Sequence, residues 1–485
     1  MAAEAFVVSF KLPNLLRDLV GEGAANSAFV PVLTERREKQ PESFWNLVTA
    51  LFLAMTVVLA TLAVLGVVFA PNIVALLAPG FAESADPDKF PLTVRLTRVM
   101  FPYVFLIGLS ALAMGVLNSM KEFASSALGP ILLNLAMITA GFFFEGRYGP
   151  MALVFGVLAG GVLQLGCQIP PLVKSGFRFA RPAFDDSAKK IGKLLLPRAL
   201  GSALYQINVF VDSILASFES IVGAGGQSAL YYANRLFQLP LAIFGIALAQ
   251  AILPTFSLQM VKGNLKEFKA TLETALRTLA FVALPATAGL VALSRPIVRI
   301  IFERGKFDAY STSITSSALF FYAFGLLSCC YIKILVNSFY AMQDTRTPVK
   351  TMLFSVGLNV ALSLVFMRTM GIGGLTLASS ISATVNMALL YAALRRRLGS
   401  LGGRRVLAAA APMGASAALM GGLAFAYDRW VLEPRAFHGA ALEGALLALG
   451  IAACVGVYFA ACFWFRIEEA RKIWSWRRKS SSLNT

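Results

Sequence analysis

The stretch Phe6–Glu38, FVVSFKLPNLLRDLVGEGAANSAFVPVLTERRE, decides how the rest of the chain is read. It is long and apolar enough to enter a bilayer, yet it carries Lys11, Asn14, Arg17, Asp18 and Glu22. Wound at about 100° per residue, Lys11, Asn14, Asp18 and Glu22 share one side, with Arg17 at its margin and Phe, Val, Leu and Ala opposite. Pro13, Gly21, Gly23 and Pro31 mark places where the helix bends or breaks. A charge at the bilayer centre costs about 2.5–3.5 kcal/mol on insertion scales, so the stripe faces either a bundle interior or a wet cavity. A helix lying on the membrane surface would show the same pattern, and the rest of the chain decides between the two.

Composition excludes a soluble globular protein. Of 485 residues, 58% are hydrophobic and 14% charged, against about 45–50% and about 25% in soluble domains. A net charge of +18 would fit nucleic acid only on a folded basic face. Here the basic residues fall in short loops between apolar runs, so no nucleic acid partner is expected. The five cysteines, Cys167, Cys329, Cys330, Cys454 and Cys462, lie inside apolar runs without CxxC spacing and read as small packing residues. The single histidine, His438, sits in a loop, which argues against histidine-based catalysis or metal ligation.

Spans of about 20 apolar residues are expected at 44–70, 92–119, 125–144, 151–173, 190–216, 228–257, 270–301, 313–341, 349–367, 375–394, 406–427 and 440–465, thirteen with the opening stretch. One set of alternating loops, with the C-terminal tail, holds 26 lysines and arginines; the other holds seven, Lys89, Arg147, Arg304, Lys306, Arg368, Arg429 and Arg435. The positive-inside rule makes the first set cytoplasmic, with the C-terminus inside and Met1 outside. Trp474 and Trp476 among the terminal basic residues fit an anchor on anionic membrane lipid. Asp428, Glu433 and the acidic loop Glu83, Asp86 and Asp88 read as solvated loop charge, and Lys89 is counted with the loop residues.

An odd number of spans points to an internal repeat. Leu12-Pro13 and Val30-Pro31 match Leu239-Pro240 and Leu253-Pro254; Gly80-Phe81 matches the neighbourhood of Gly305 and Phe307. FPYVF at 101–105 matches FFYAF at 320–324, VLNS at 116–119 matches LVNS at 335–338, and Pro130 matches Pro348, all at offsets of 218 to 227 residues. The second copy opens with a full span, 190–216, before its Leu-Pro stretch. Shifted back by about 220 residues that span precedes Met1, so the first copy is expected to lack its opening helix, as a start assigned too late would cause. Two six-span lobes of like orientation are related by an axis along the membrane normal.

Facing lobes place the opening stripe and its partner, 231–257, around one cavity. The partner offers Asn234, Arg235 and Gln238 before Pro240. Arg17 and Arg235 thus occupy equivalent elements, and paired arginines suit an anionic, phosphorylated substrate because the guanidinium fork donates two hydrogen bonds and stays charged. Local neutralisation of Arg17 by Glu22 or Asp18, and snorkelling of Arg235, would be the structural alternative. Lys333, inside 313–341, is a further cavity candidate or a buried pairing lysine. Asp212, with Asn359 and Ser363 one turn apart, could bind Na⁺ or carry a proton. Asn118 and Asn337 are repeat-equivalent and read as helix–helix hydrogen bonds. No P-loop or catalytic triad is present in the sequence, so neither ATP-driven transport nor an enzyme's covalent chemistry has support.

AFVVSFKLPNLLRDLVGEGAANSAFVPVL at 5–33, LAPGF at 77–81, YYANRLFQLPLAIFGIALAQAILP at 231–254 and NSFYAMQDTRTPVK at 337–350 resemble the MurJ (MviN) lipid II flippases of the multidrug/oligosaccharidyl-lipid/polysaccharide exporter superfamily. The resemblance covers the whole chain. It implies an all-α polytopic protein of the bacterial inner membrane with two pseudo-symmetric lobes, a C-terminal helix pair forming a groove for the undecaprenyl tail, and a role in peptidoglycan synthesis and cell shape. It divides the chain into a first lobe over 1–180 (spans 2–6 of the family pattern), a second over 181–398 (spans 7–12), the helix pair over 399–466 and a basic cytoplasmic tail over 467–485. It implies alternating access that carries lipid II, an undecaprenyl-pyrophosphate-linked disaccharide peptide, to the periplasmic leaflet, with cell-wall synthesis enzymes as possible partners. Arg17 and Arg235 match arginines thought to grip the pyrophosphate; Glu22 matches the acid of the family's AEG segment; Asn14, Asn234, Gln238 and Lys333 complete the substrate-binding set. Asp212, Asn359 and Ser363 match a Na⁺ site found in some members.

This chain departs from the pattern in places. Glu4 stands where the family usually has Asp, Asp18 where many have a second basic residue, Asn234 where an acid is frequent, and Ser363 where the Na⁺ site has its second acid. Three classes remain: a lipid-linked precursor flippase, a cation-coupled multidrug or other polyprenyl-oligosaccharide exporter of the same architecture, and a membrane glycosyl- or phosphotransferase. An exporter of organic cations should present cavity acids rather than paired arginines, and a transferase should show an Asp, Glu or His cluster at a membrane face. The flippase is the expectation, with no cofactor beyond a coupling Na⁺ or H⁺.

Overall fold

The computed structural model describes residues 1–17, 24–433 and 439–471. Every regular element among them is helical, as a chain without water around its backbone requires: only intra-helical hydrogen bonds satisfy each N–H and C=O within lipid. The chain divides into two compact units, Met1–Ser220 and Ile221–Thr485.

The first unit contains α1 (Ala2–Arg17), α2 (Ala24–Lys39), α3 (Phe44–Val68), α4 (Ala70–Leu77), α5 (Lys89–Met100), α6 (Pro102–Ser119), α7 (Ala124–Tyr148), α8 (Met151–Gly166), α9 (Ile169–Lys174) and α10 (Asp186–Ala216). Helix α6 is its axis. Phe10 of α1 packs with Leu96, Met100, Tyr103 and Ile107, and Phe29, Val32 and Leu33 of α2 pack with Ala113, Val116 and Leu117. Small residues let helices approach closely where lipid supplies no hydrophobic drive. At Gly160 of α8 a Cβ would stand 2.6 Å from the Leu133 side chain and 2.9 Å from its Cα on α7. Asp185 caps α10 by accepting from the Ser187 and Ala188 N–H groups and pairs with Arg36 at 2.6 Å, tying α10 to α2.

A short helix, α11 (Glu219–Val222), leads into the second unit: α12 (Gly226–Pro240), α13 (Ala247–Val261), α14 (Leu265–Ala292), α15 (Ser294–Phe302), α16 (Ala309–Ala323), α17 (Leu326–Ala341), α18 (Arg346–Met370), α19 (Ile372–Leu398), α20 (Gly403–Tyr427) and α21 (Ala440–Trp464). Between α12 and α13 the chain takes a π-helical turn, Leu241–Ile246, immediately after Pro240. The proline ring displaces a carbonyl and donates no hydrogen bond, and a wider turn absorbs that mismatch. Helices α20 and α21 pack on α14 through Phe281, Met413, Met420, Cys454, Tyr458 and Cys462. The Tyr458 hydroxyl donates to the Phe281 carbonyl at 2.7 Å, while Arg277 pairs with Glu468 and Glu469 at 2.9 and 2.7 Å.

The internal repeat is visible in the backbone. Helices α7 and α18 each have 25 residues. Each ends at a left-handed glycine, Gly149 with φ 55° and Gly371 with φ 56°. Each is preceded by a non-glycine residue in the same region, Lys121 with φ 68° and Gln343 with φ 58°. Both pairs lie 222 residues apart.

Ten helices among the described residues are long and apolar enough to cross a membrane; α16 and α17, bent by 47°, make an eleventh if they form one span. These account for eleven of the thirteen expected spans; the other two, the opening stretch and 190–216, include residues outside the description or whose side chains are not described. The opening stretch is carried by two 16-residue helices, α1 and α2, on either side of residues outside the description. Helix α10 covers the expected 190–216 within a single 31-residue helix.

Replacing Gly160 with Leu should drive α7 and α8 apart, costing about 1–3 kcal/mol for an overpacked contact. Gly146→Leu, where a Cβ would meet nothing within 4 Å, should be neutral. Unfolding midpoints of the two variants in detergent check this.

Candidate functional site

Helix α12 carries the best-defined part of the expected site. Arg235 is exposed. Its Cζ lies 5.1 Å from the centre of the Tyr231 ring, and Nη2 donates to Tyr231 Oη at 3.3 Å. One turn on, Gln238 Nε2 donates to Asn234 Oδ1 at 2.5 Å. Residues four apart share a helix face, so the face carries one fixed amide pair and one stacked guanidinium. Among the described residues no carboxylate pairs with Arg235. The guanidinium fork is therefore open to an outside anion. Tyr231 in turn meets Tyr232 edge-on, and Tyr232 meets Phe302 and Phe307 at 4.8 and 5.7 Å.

Of the matching stripe on α1, Asn14 is half-buried and Lys11 lies within electrostatic reach of Asp212. Arg17 is the last residue of α1; its side chain lies outside the described residues, as do Asp18 and Glu22. Lys333 is half-buried on α17, next to Cys329 and Cys330. One turn on, Asn337 Nδ2 donates to the Ala249 carbonyl of α13 at 2.6 Å, a helix–helix bond of the expected kind.

The expected cation ligands divide between the units. Asn359 and Ser363 are both fully buried on α18, and the Ser363 hydroxyl donates to Asn359 Oδ1 at 3.5 Å. Ser379 of α19 donates to the same oxygen at 3.4 Å, a residue that sequence spacing alone did not single out. Asp212 belongs to the first unit, on α10.

The structure also places a charged cluster that the sequence reading missed. Lys89, read as loop charge, is 1% exposed and Glu4 3%. Lys89 Nζ donates to Glu4 at 2.5 Å and to Glu219, and lies 4.1 Å from the centre of the Phe81 ring. Ser84 donates to the other oxygen of Glu219 at 2.6 Å. Burial opposes ionisation of Glu219, but the hydrogen bonds from Lys89 and Ser84 outweigh it and hold the carboxyl below the usual carboxylate range. Removing one partner of such a buried pair costs about 3–5 kcal/mol, because the other is left unpaired. The only sequence signal was a lysine at the mouth of an apolar run.

The family model described as lipid II flippase MurJ matches residues 1–436. The chain belongs to the MurJ lipid II flippase family. The lipid II flippase MurJ of Burkholderia cenocepacia is 36% identical over 406 residues, 81% of this chain and 77% of the relative. A solved lipid II flippase MurJ in an inward closed conformation superposes with a TM-score of 0.77 at 26% identity, covering 96% of this chain and 93% of that one. An inward-facing multidrug resistance transporter of the MATE family superposes with a TM-score of 0.70 at 15% identity, covering 83% and 94%, a likeness of fold alone. Membership makes the chain a polytopic transporter.

Asn359→Leu should take the shared acceptor from the fully buried Ser363 hydroxyl and from the half-buried Ser379. At about 1–3 kcal/mol for each such group, the detergent unfolding midpoint should fall clearly below that of Asn359→Ser.

Proposed function

We propose that this chain carries lipid II from the cytoplasmic to the periplasmic leaflet of the bacterial inner membrane by alternating access, without covalent chemistry. Family membership over residues 1–436 supports the substrate. The single observation that carries the mechanism is Arg235: an exposed guanidinium, held against Tyr231 and paired with no described carboxylate. An organic-cation exporter needs an acid at such a place, whereas a pyrophosphate needs a planar cation.

In this reading Arg17 supplies the equivalent charge from the first repeat. Glu22, Asn14, Asn234, Gln238 and Lys333 line the same cavity. The lobes are 1–180 and 181–398, the pair 399–466 holds the polyprenyl tail, and the tail 467–485 lies in the cytoplasm. Positive-inside asymmetry supports that orientation. Asp212, Asn359 and Ser363 carry the coupling ion. The peptidoglycan synthases that consume the flipped precursor are the partners this activity calls for.

Arg17→Ala and Arg235→Ala should each abolish complementation of a flippase-depleted bacterium while the protein still inserts at normal level. A charge-assisted bond is worth about 1.5–3 kcal/mol, a ten- to hundred-fold loss in rate, and Arg235→Lys should recover only part of it. Normal wall growth on either alanine variant sinks the clamp. Replacing external Na⁺ by K⁺ at constant pH should slow transport if Na⁺ is the coupling ion; loss only on adding a protonophore would assign the role to H⁺.

A further inference from the structure

We infer that Lys89, Glu4 and Glu219 position the transport path by latching its outer end shut, and that the latch must open for substrate to leave. The inference rests on the repeat and orientation proposed above. By that reading Glu4, Ser84 and Lys89 belong to the first copy. Ser217 and Glu219 follow α10, the helix that opens the second. All of them lie in the first compact unit.

Two ties meet at this corner. Lys89 bridges Glu4 and Glu219 while Ser84 holds the second Glu219 oxygen. Beside them, the Gly80 N–H donates to Ser217 Oγ at 3.0 Å, and the backbones approach so closely that a Cβ on Gly80 would stand 2.3 Å from the Ser217 carbonyl oxygen. Glycine is what the LAPGF turn needs for that approach. The contact is therefore tight and specific, and by the repeat reading it joins the first copy to the end of the helix that opens the second.

A strut needed merely to fold the corner should recur in the second copy. It does not. Ser311 stands 222 residues after Lys89, and that corner is built with neutral donors: Asp308 caps α16 through the Ser311 N–H at 2.9 Å, and the Thr312 hydroxyl donates to Glu303 at 2.5 Å. The same turn folds without a buried lysine. Buried ion pairs are also poor stabilisers compared with apolar packing, and their best-attested use is to fix one arrangement against another. Shut, the cluster is fully paired with Lys89 and Glu4 buried; open, each charge regains water. Such a contact can be both specific and reversible.

The test removes the five native cysteines and introduces Ser84→Cys with Glu219→Cys. Oxidation in intact cells should join them, reduce appearance of lipid II at the outer leaflet more than ten-fold, and be reversed by a reducing agent. A bond that forms and leaves transport unchanged overturns the latch. If the reduced double variant is itself inactive, charge exchange decides. Lys89→Glu and Glu219→Lys should each lose transport at least ten-fold, and the two together should recover at least half of it. A well-inserted exchange variant that recovers nothing overturns the proposal. Asp88→Cys, on the exposed loop before Lys89, should react with a membrane-impermeant maleimide from outside. Reaction from the cytoplasmic side alone would refute the orientation, and hence an outer latch, whatever the cross-link does.

Discussion

A charge away from water must find either a partner or a wet cavity, and the polar half of this structure follows from that constraint. Lys89 shows the first solution, and in the proposed function Arg235 takes the second. Lys89 is buried, so it is enclosed by Glu4, Glu219 and the face of Phe81. Arg235 is exposed, so it needs no counter-ion and rests on Tyr231. A guanidinium stacked on an aromatic face keeps its donor edge free and loses less freedom when an anion arrives. The same constraint operates where the C-terminal helices meet α14 and α15: Arg277 takes Glu468 and Glu469, and Arg299 takes Glu443.

The apolar half is governed by the backbone. With every amide satisfied inside its own helix, what distinguishes one lipid-exposed helix pair from another is how closely the backbones approach. Gly160 lets α8 reach Leu133; Pro240 forces the π turn that joins α12 to α13. Both effects are local, which is why the same α7–α8 pairing reappears as α18–α19, down to the left-handed residues at its ends.

That locality explains what could be read in advance. Helix type, a repeat of about 220 residues and family were legible, because long apolar runs leave one backbone solution and motifs such as NSFYAMQDTRTPVK are contiguous. The pairing of Asn359 with Ser363 followed from their one-turn separation. Eleven of the thirteen expected spans reappear as long apolar helices when α16 and α17 are taken as one span. Ser379 was missed because its partner Asn359 sits on a different helix. The Glu4–Lys89–Glu219 cluster was hidden more deeply: its members are 85 and 130 residues apart, and a lysine beside Asp86 and Asp88 carries every outward sign of a solvated loop.

The repeat also separates scaffold from machinery. Polar residues that recur and are satisfied within their own copy are scaffold. Ser119 and Ser338 each return a hydroxyl to their own helix, at Val116 and Ile334, and Asn337 closes on Ala249 nearby. None of these bonds need change when two lobes move. Arg235 is different, because no carboxylate of the described residues completes it. Lys89 is different in the opposite sense, because its second carboxylate comes from beyond the helix that opens the other copy. An interaction contributes differently to two conformations only if one of them changes it. On that criterion the proposed machinery lies with the residues not satisfied within their own copy, Arg235 and Lys89, rather than with those that are.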